Sequence, residues 1–202
     1  MSTITQTAQS ATGPGEDCFP PYRMSIDQYD KLVESGVFTK RDKFQLINGL
    51  LVAKVTKNPP HSIAKGNGAD ALGRVIPEPS WHVRQEDPVR LPPFNEPEPD
   101  VCVARGQRGD YSVQHPGFAD IGLLVEVSDT SLADDRKMAL NYAATGVPVY
   151  WIVNLVDRQV EVYNSPTHGG YSARQDYRTG YHVPVILDGT EVGRIAVADL
   201  LP

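Results

Sequence analysis

The chain has 202 residues, 40% of them hydrophobic, enough for one domain with a real core and short extensions. Nineteen Lys and Arg against twenty-five Asp and Glu leave a net charge of −6, which excludes a strongly basic nucleic-acid coat, so any nucleic acid is met locally. Two cysteines, Cys18 in a polar stretch and Cys102 in an apolar run, exclude a disulfide framework and a four-cysteine zinc site and point to a reducing cytoplasm.

Residues 1–21 are expected to form a flexible N-terminal tail, rich in Ser, Thr, Gln, Ala and Gly and lacking the basic cluster and apolar stretch of a signal peptide. No apolar run approaches the roughly eighteen residues of a membrane span, so no membrane association is expected. Ser25 stands three residues before Gln28, the spacing of a capping box, which predicts a helix over 25–35 closed by Gly36. Asn48-Gly49, flanked by Phe44, Leu46, Leu50 and Val52, predicts a tight hairpin. A helix is expected over 61–76, after Pro59-Pro60, and strands over 81–84 and 89–91. A proline-rich passage leads to a short buried strand beginning at Asp100, then a polar loop over 105–119. The apolar run 121–127 reads as a strand, 132–145 as a helix closed by Gly146, and 149–154 and 159–163 as two more strands. The order predicts an α/β fold, a mixed sheet flanked by helices, with a core over 22–165 and a β-rich extension of the same domain over 166–202.

Asp100 and Glu126 lie in apolar strands, and a buried acid needs a partner. If the strands are neighbours, side chains on one face lie about 5 Å apart at Cβ and both carboxylates can grip one cation. Mg²⁺ suits oxygen ligands and retained waters and would polarise a phosphoryl oxygen, which makes the reaction metal-assisted phosphodiester hydrolysis. The alternative is structural: Asp100 caps a turn after Pro99, and Glu126 pairs with Arg136 or Lys137. The sequence has no G-x-S-x-G, no Walker-type G-K-[ST] and no H-x-x-x-H, which argues against a serine hydrolase, a P-loop and a histidine zinc site.

Several spaced motifs occur in one order: Gln45-Leu-Ile-Asn-Gly49, His61, Pro99-Asp100, Glu126-Val127-Ser128, a helix carrying Asp135 and Lys137 and ending in Tyr-Ala-x-x-Gly, and Val-Tyr-Trp-Ile-Val. Over about 22–163 the chain resembles the Uma family of restriction endonucleases, a bacterial branch of the PD-(D/E)XK nuclease superfamily. The resemblance implies a restriction-endonuclease-like fold and a homodimeric endonuclease that cuts DNA with Mg²⁺, or Mn²⁺ as substitute, and no organic cofactor. It implies Asp100 and Glu126 as metal ligands, the Val127 carbonyl as a third, Lys137 as the assisting amine, Gln45 in the catalytic set, and His61 and Ser128 as supporting or phosphate-contacting residues.

Two departures from the family pattern favour a rival, a catalytically inactive nuclease-fold module that binds nucleic acid or protein. Gln45 stands where the family has Glu, and Lys137 precedes Tyr142 by five residues instead of four, with Met138 at the family's spacing. One residue of slip turns a helical side chain by about 100°. Charge is also divided along the chain: 40–90 holds nine basic and five acidic residues, and 91–135 two basic and nine acidic. The basic stretch suits a phosphate backbone and the acidic one a cation.

Overall fold

In the computed structural model, which describes residues 20–38, 42–54 and 56–202, Ser25 opens the first helix, α1 (Ile26–Glu34), through a capping box. Its hydroxyl accepts the Gln28 N–H at 3.3 Å, and the Gln28 side chain accepts the Ser25 N–H at 2.9 Å. The tail expected over 1–21 lies outside the described residues except for Pro20 and Pro21, and so does Cys18.

The Asn48-Gly49 turn joins β1 (Phe44–Ile47) to β2 (Leu50–Ala53), with both turn residues at positive φ, 50° and 74°. Glycine is needed there for a second reason, because a Cβ would sit 2.8 Å from the Arg23 Cβ and 2.9 Å from the Met24 nitrogen. Met24 donates to the Gly49 carbonyl, Gly49 to the Phe94 carbonyl, and Leu46 exchanges backbone bonds with Glu96. The hairpin is thereby pinned to the segment that runs into Asp100.

Helix α2 (Pro59–Val75) begins two residues earlier than the sequence suggested. Asn58 caps it by accepting the His61 N–H at 3.0 Å, and the two prolines occupy the first turn, where a missing N–H leaves no carbonyl unpaired. Residues 89–91, expected as a strand, make only isolated bridges, Arg90 with Gly117 and Leu91 with Asn95. Pro88, Pro92 and Pro93 withhold the N–H groups that a ladder needs.

Six strands form the main sheet in chain order: β3 (Trp81–Gln85), β4 (Val101–Arg105), β5 (Ile121–Ser128), β6 (Val149–Asn154), β7 (Gln159–Thr167) and β8 (Gly170–Arg178). All neighbours are antiparallel except β5 and β6, whose parallel pairing is bridged by the crossover helix α3 (Leu132–Ala144). The hairpin of β9 (His182–Leu187) and β10 (Thr190–Ala196) packs with α2 on one face. This is the expected mixed sheet flanked by helices, and the last two strands of the sheet run on through residues 166–178.

The period of two along β4 and β5 divides the core. Val101, Val103, Leu123, Val125 and Val127 pack on the α2 side with Leu72 and Leu200, while Cys102, Ala104 and Leu124 pack on the α3 side with Ala139 and Tyr142. Each fully buried Val or Leu stabilises the fold by about 1.5–3 kcal/mol. Asp100 and Glu126 share parity with Cys102 and Leu124. Among the described residues, no helix is long and apolar enough to cross a membrane.

Candidate active site

The β4–β5 register pairs Val101 with Val125, so one step further along the ladder Asp100 stands opposite Glu126. The Asp100 N–H donates to Glu126 Oε2 at 3.2 Å, and the Val127 N–H donates to Asp100 Oδ2 at 2.8 Å. Tyr142, fully buried on α3, donates its hydroxyl to Glu126 Oε1 at 2.9 Å. Neither part of the structural alternative is present, because Arg136 binds Glu161, Lys137 binds Asp134, and the Asp100 carboxylate holds side chains from α2 and its approach.

Those side chains are His61 and Lys57. His61 Nε2 lies 3.0 Å from Asp100 Oδ2, and its other ring nitrogen, Nδ1, is buried with no hydrogen-bond partner among the described residues. Lys57 Nζ lies 3.1 Å from Asp100 Oδ1 and 3.2 Å from His61 Nε2. Asn58 holds this corner in place by capping α2 and donating to Asp129, just beyond β5.

The two acids differ in charge preference. Burial works to raise the Asp100 pKa, but the His61 hydrogen bond, the Lys57 charge and the Val127 N–H outweigh it and hold the carboxyl below its usual range. Glu126 is pushed well above its usual range by burial, reinforced by the charges of Asp100 and Asp135, against which the Asp100 N–H and Tyr142 only partly act. The two carboxyls are thus shifted in opposite directions, Asp100 down and Glu126 up. Asp135 is raised by burial, opposed by hydroxyl hydrogen bonds from Ser128 and Ser131.

Two adjoining clefts open on Asp100, and the larger also reaches Glu126. One, of about 650 Å³, is lined by Gln45, Lys57, Asp100, Glu126, Val127 and Tyr142 together with the Asp134, Lys137 and Met138 face of α3. The other, of about 460 Å³, lies under the hairpin and is lined by Lys43, Lys54 and Lys57 with Gln45, Glu98 and Asp100. Lysines thus flank the acid pair on the hairpin side.

The remaining sequence-derived candidates are placed as follows. The Gln45 side-chain oxygen accepts the Glu98 N–H at 3.1 Å, beside the ion pair of Lys54 with Glu98. Ser128 donates its hydroxyl to Asp135. Lys137 lines the larger cleft, but its amine pairs with Asp134 at 2.9 Å and its side chain is 75% exposed. Sequence reasoning missed Lys57, Tyr142 and Asp135 as members of the group around the acids. Lys57 carries no periodic or motif signal; its only trace is its place beside the Asn58 cap of a helix that begins with His61 in its first turn. Among the described residues, no group of three or more His, Cys, Asp or Glu side chains is placed to hold a metal.

Comparison with curated proteins finds no match. A solved structure described as a putative nuclease belonging to DUF820, from Anabaena variabilis, superposes with a TM-score of 0.66 at 16% identity, covering 88% of this chain and 97% of that one. At that identity the likeness establishes the fold. The sequence profile of the Uma2 family, described as "Putative restriction endonuclease", matches residues 26–193, and the chain belongs to that family.

Proposed function

We propose that the chain is a metal-dependent endonuclease that hydrolyses phosphodiester bonds in DNA, with Asp100 and Glu126 as its metal ligands. The observation that carries this reading is the opposition of the two carboxylates at the end of β4, joined by the Asp100 N–H and open to a cleft flanked by lysines. The donor set fits Mg²⁺, or Mn²⁺ in its place: two carboxylates, oxygen atoms only, with room for retained waters. The ammonium of Lys57, which rests against Asp100 Oδ1, supports the fit, because a carboxylate that pairs with one cation suits another. The Val127 N–H turns toward Asp100, which puts the same residue's carbonyl on the β4 side of β5 and suits it as a third ligand.

Bound there, the ion would polarise a phosphoryl oxygen and raise the acidity of water. The chain's own residues supply the rest. Asp100 is kept ionised by His61 and the Val127 N–H, and Tyr142 fixes the Glu126 carboxyl by its second oxygen. Gln45 is oriented by the Glu98 N–H at the mouth of both clefts, where it can position water but does not act as a strong base. Lys43 and Lys54 offer charge to the phosphate backbone.

Family membership supports a nucleic-acid substrate, and a cut through both strands needs two such sites, which a homodimer provides. The buried free thiol of Cys102 suits a cytoplasmic setting. A binding module that has kept the fold is the second reading, favoured by Gln45 and by the outward pairing of Lys137 with Asp134. Supercoiled plasmid and RNA of similar length, each incubated with Mg²⁺, Mn²⁺ or chelator, decide between the readings. Nicking of DNA that needs metal supports the enzyme, whereas retention of DNA without any cut, even in Gln45→Glu, supports the module. Light scattering at micromolar concentration tests the dimer.

A further inference from the structure

We propose that Lys57, on the approach to α2, supplies the amine of the reaction in place of Lys137 on α3. The inference rests on the two-carboxylate reading of the site. Lys57 brings its ammonium to 3.1 Å from Asp100 and 3.2 Å from His61 and lines both clefts. Lys137 turns to Asp134, and the position one residue on, which faces the larger cleft, is the uncharged Met138. Both lysines line the same cavity, and of the two Lys57 is the one that touches the acid pair.

Its anchoring suits the task. The backbone of Lys57 directly precedes the Asn58 cap, itself tied to His61 and Asp129, so the main chain is fixed while a side chain 41% exposed keeps its rotamer freedom. The ammonium can leave Asp100 Oδ1 for a phosphate lying in the cleft by side-chain rotation alone. In the hydrolysis a bond forms between the water oxygen and phosphorus and one of the two P–O ester bonds of the backbone breaks. The water's proton passes to the leaving oxygen through solvent. Lys57 transfers no proton; its N–H groups bind a non-bridging oxygen whose negative charge grows as the water attacks. The same ammonium competes with a divalent ion for Asp100, so removing it should tighten metal binding.

The test compares wild type, Lys57→Met, Lys57→Arg, Lys137→Met and Asp100→Ala as full chains, by Mn²⁺ calorimetry and by single-turnover plasmid nicking at saturating Mn²⁺. The expected result is a fall of about 100-fold or more in nicking for Lys57→Met, with Mn²⁺ bound several-fold more tightly and partial recovery in Lys57→Arg. Lys57→Gln, a second neutral variant, repeats both readouts if the Met variant is poorly folded. Wild-type nicking in Lys57→Met beside an inactive Asp100→Ala overturns the inference and leaves the two-carboxylate reading standing. So does loss of nicking in Lys137→Met with nicking retained in Lys57→Met. Nicking that survives in Asp100→Ala, or a wild type that cuts nothing, overturns the reading beneath it as well.

Discussion

Asp100 and Glu126 face each other across the β4–β5 pair, and the backbone of the first holds the side chain of the second: the Asp100 N–H bonds Glu126 Oε2 at 3.2 Å. Placement of one acid therefore fixes the other. The strand begins one residue after Asp100, which leaves the Asp100 N–H outside the ladder and free for Glu126. The geometry of the site is thus a property of strand register, held from the α3 side by Tyr142 and from the α2 side by His61 and Lys57.

Removing the Tyr142 hydroxyl should leave one oxygen of the half-buried Glu126 carboxyl without its donor. Tyr142→Phe is expected to cost about 1–3 kcal/mol in urea unfolding. The cost should shrink markedly in a Glu126→Ala background, since the hydroxyl then has no carboxyl to serve. An equal cost in both backgrounds would place the loss in packing.

Glu96, buried beside Arg90, has its pKa raised to about 7 by burial and by the charges of Asp30 and Glu98, with Arg90 opposing. A carboxyl with a raised folded-state pKa favours folding when protonated, so its contribution is full below the ordinary value near 4.5 and is lost as pH rises from there to about 7. Glu96→Gln should flatten the fall in stability over that window and gain most, relative to wild type, at pH 8. Melting curves at pH 4.5, 6 and 8 check the slope.

Glu161 on β7 has the opposite sign. Its fully buried carboxylate accepts Arg136 Nε at 3.0 Å, Asn154 at 2.9 Å and the Tyr163 hydroxyl at 2.8 Å, with Arg174 at 3.2 Å. Burial alone would raise its pKa, yet these donors bring it down to about 2, so its stabilisation is present above about 4.5 and is lost as pH falls toward 2. Glu161→Gln should cost about 3 kcal/mol at pH 7, the lower end for breaking a buried pair because both arginines also reach water. The deficit against wild type should narrow in melts at pH 3.

Gly49 combines φ of 74° with backbone contact to Arg23 and Met24. Gly49→Ala is expected to destabilise the chain by about 1–3 kcal/mol and to loosen the hairpin from the 93–98 segment. Hydrogen exchange at the Leu46 and Glu96 amides, which pair across that contact, reports the loosening directly.

Local rules made much of this legible in the sequence. The Ser25 box and the Asn48-Gly49 turn follow from capping chemistry and positive φ, whereas the opposition of Asp100 and Glu126, conditional in the sequence on the two strands being neighbours, comes from the β4–β5 register. Residues 89–91 failed as a strand because three flanking prolines outweigh an apolar run. The α2 start was misplaced because prolines that break a helix interior are tolerated in its first turn. Around the acids, the resemblance pointed to a lysine on α3, whereas side-chain direction on that helix sends Lys137 to Asp134. Lys57 reaches Asp100 only through tertiary placement of a loop forty-three residues away in sequence, for which no spacing rule exists.

The most direct test of the central claim is Mn²⁺ titration calorimetry on wild type and on the Asp100→Ala, Glu126→Ala double variant, with folding verified by melting. Saturable binding in wild type that disappears in the double variant is the expected result. Binding of equal strength in both, or none in a folded wild type, would contradict a metal site built on these two carboxylates.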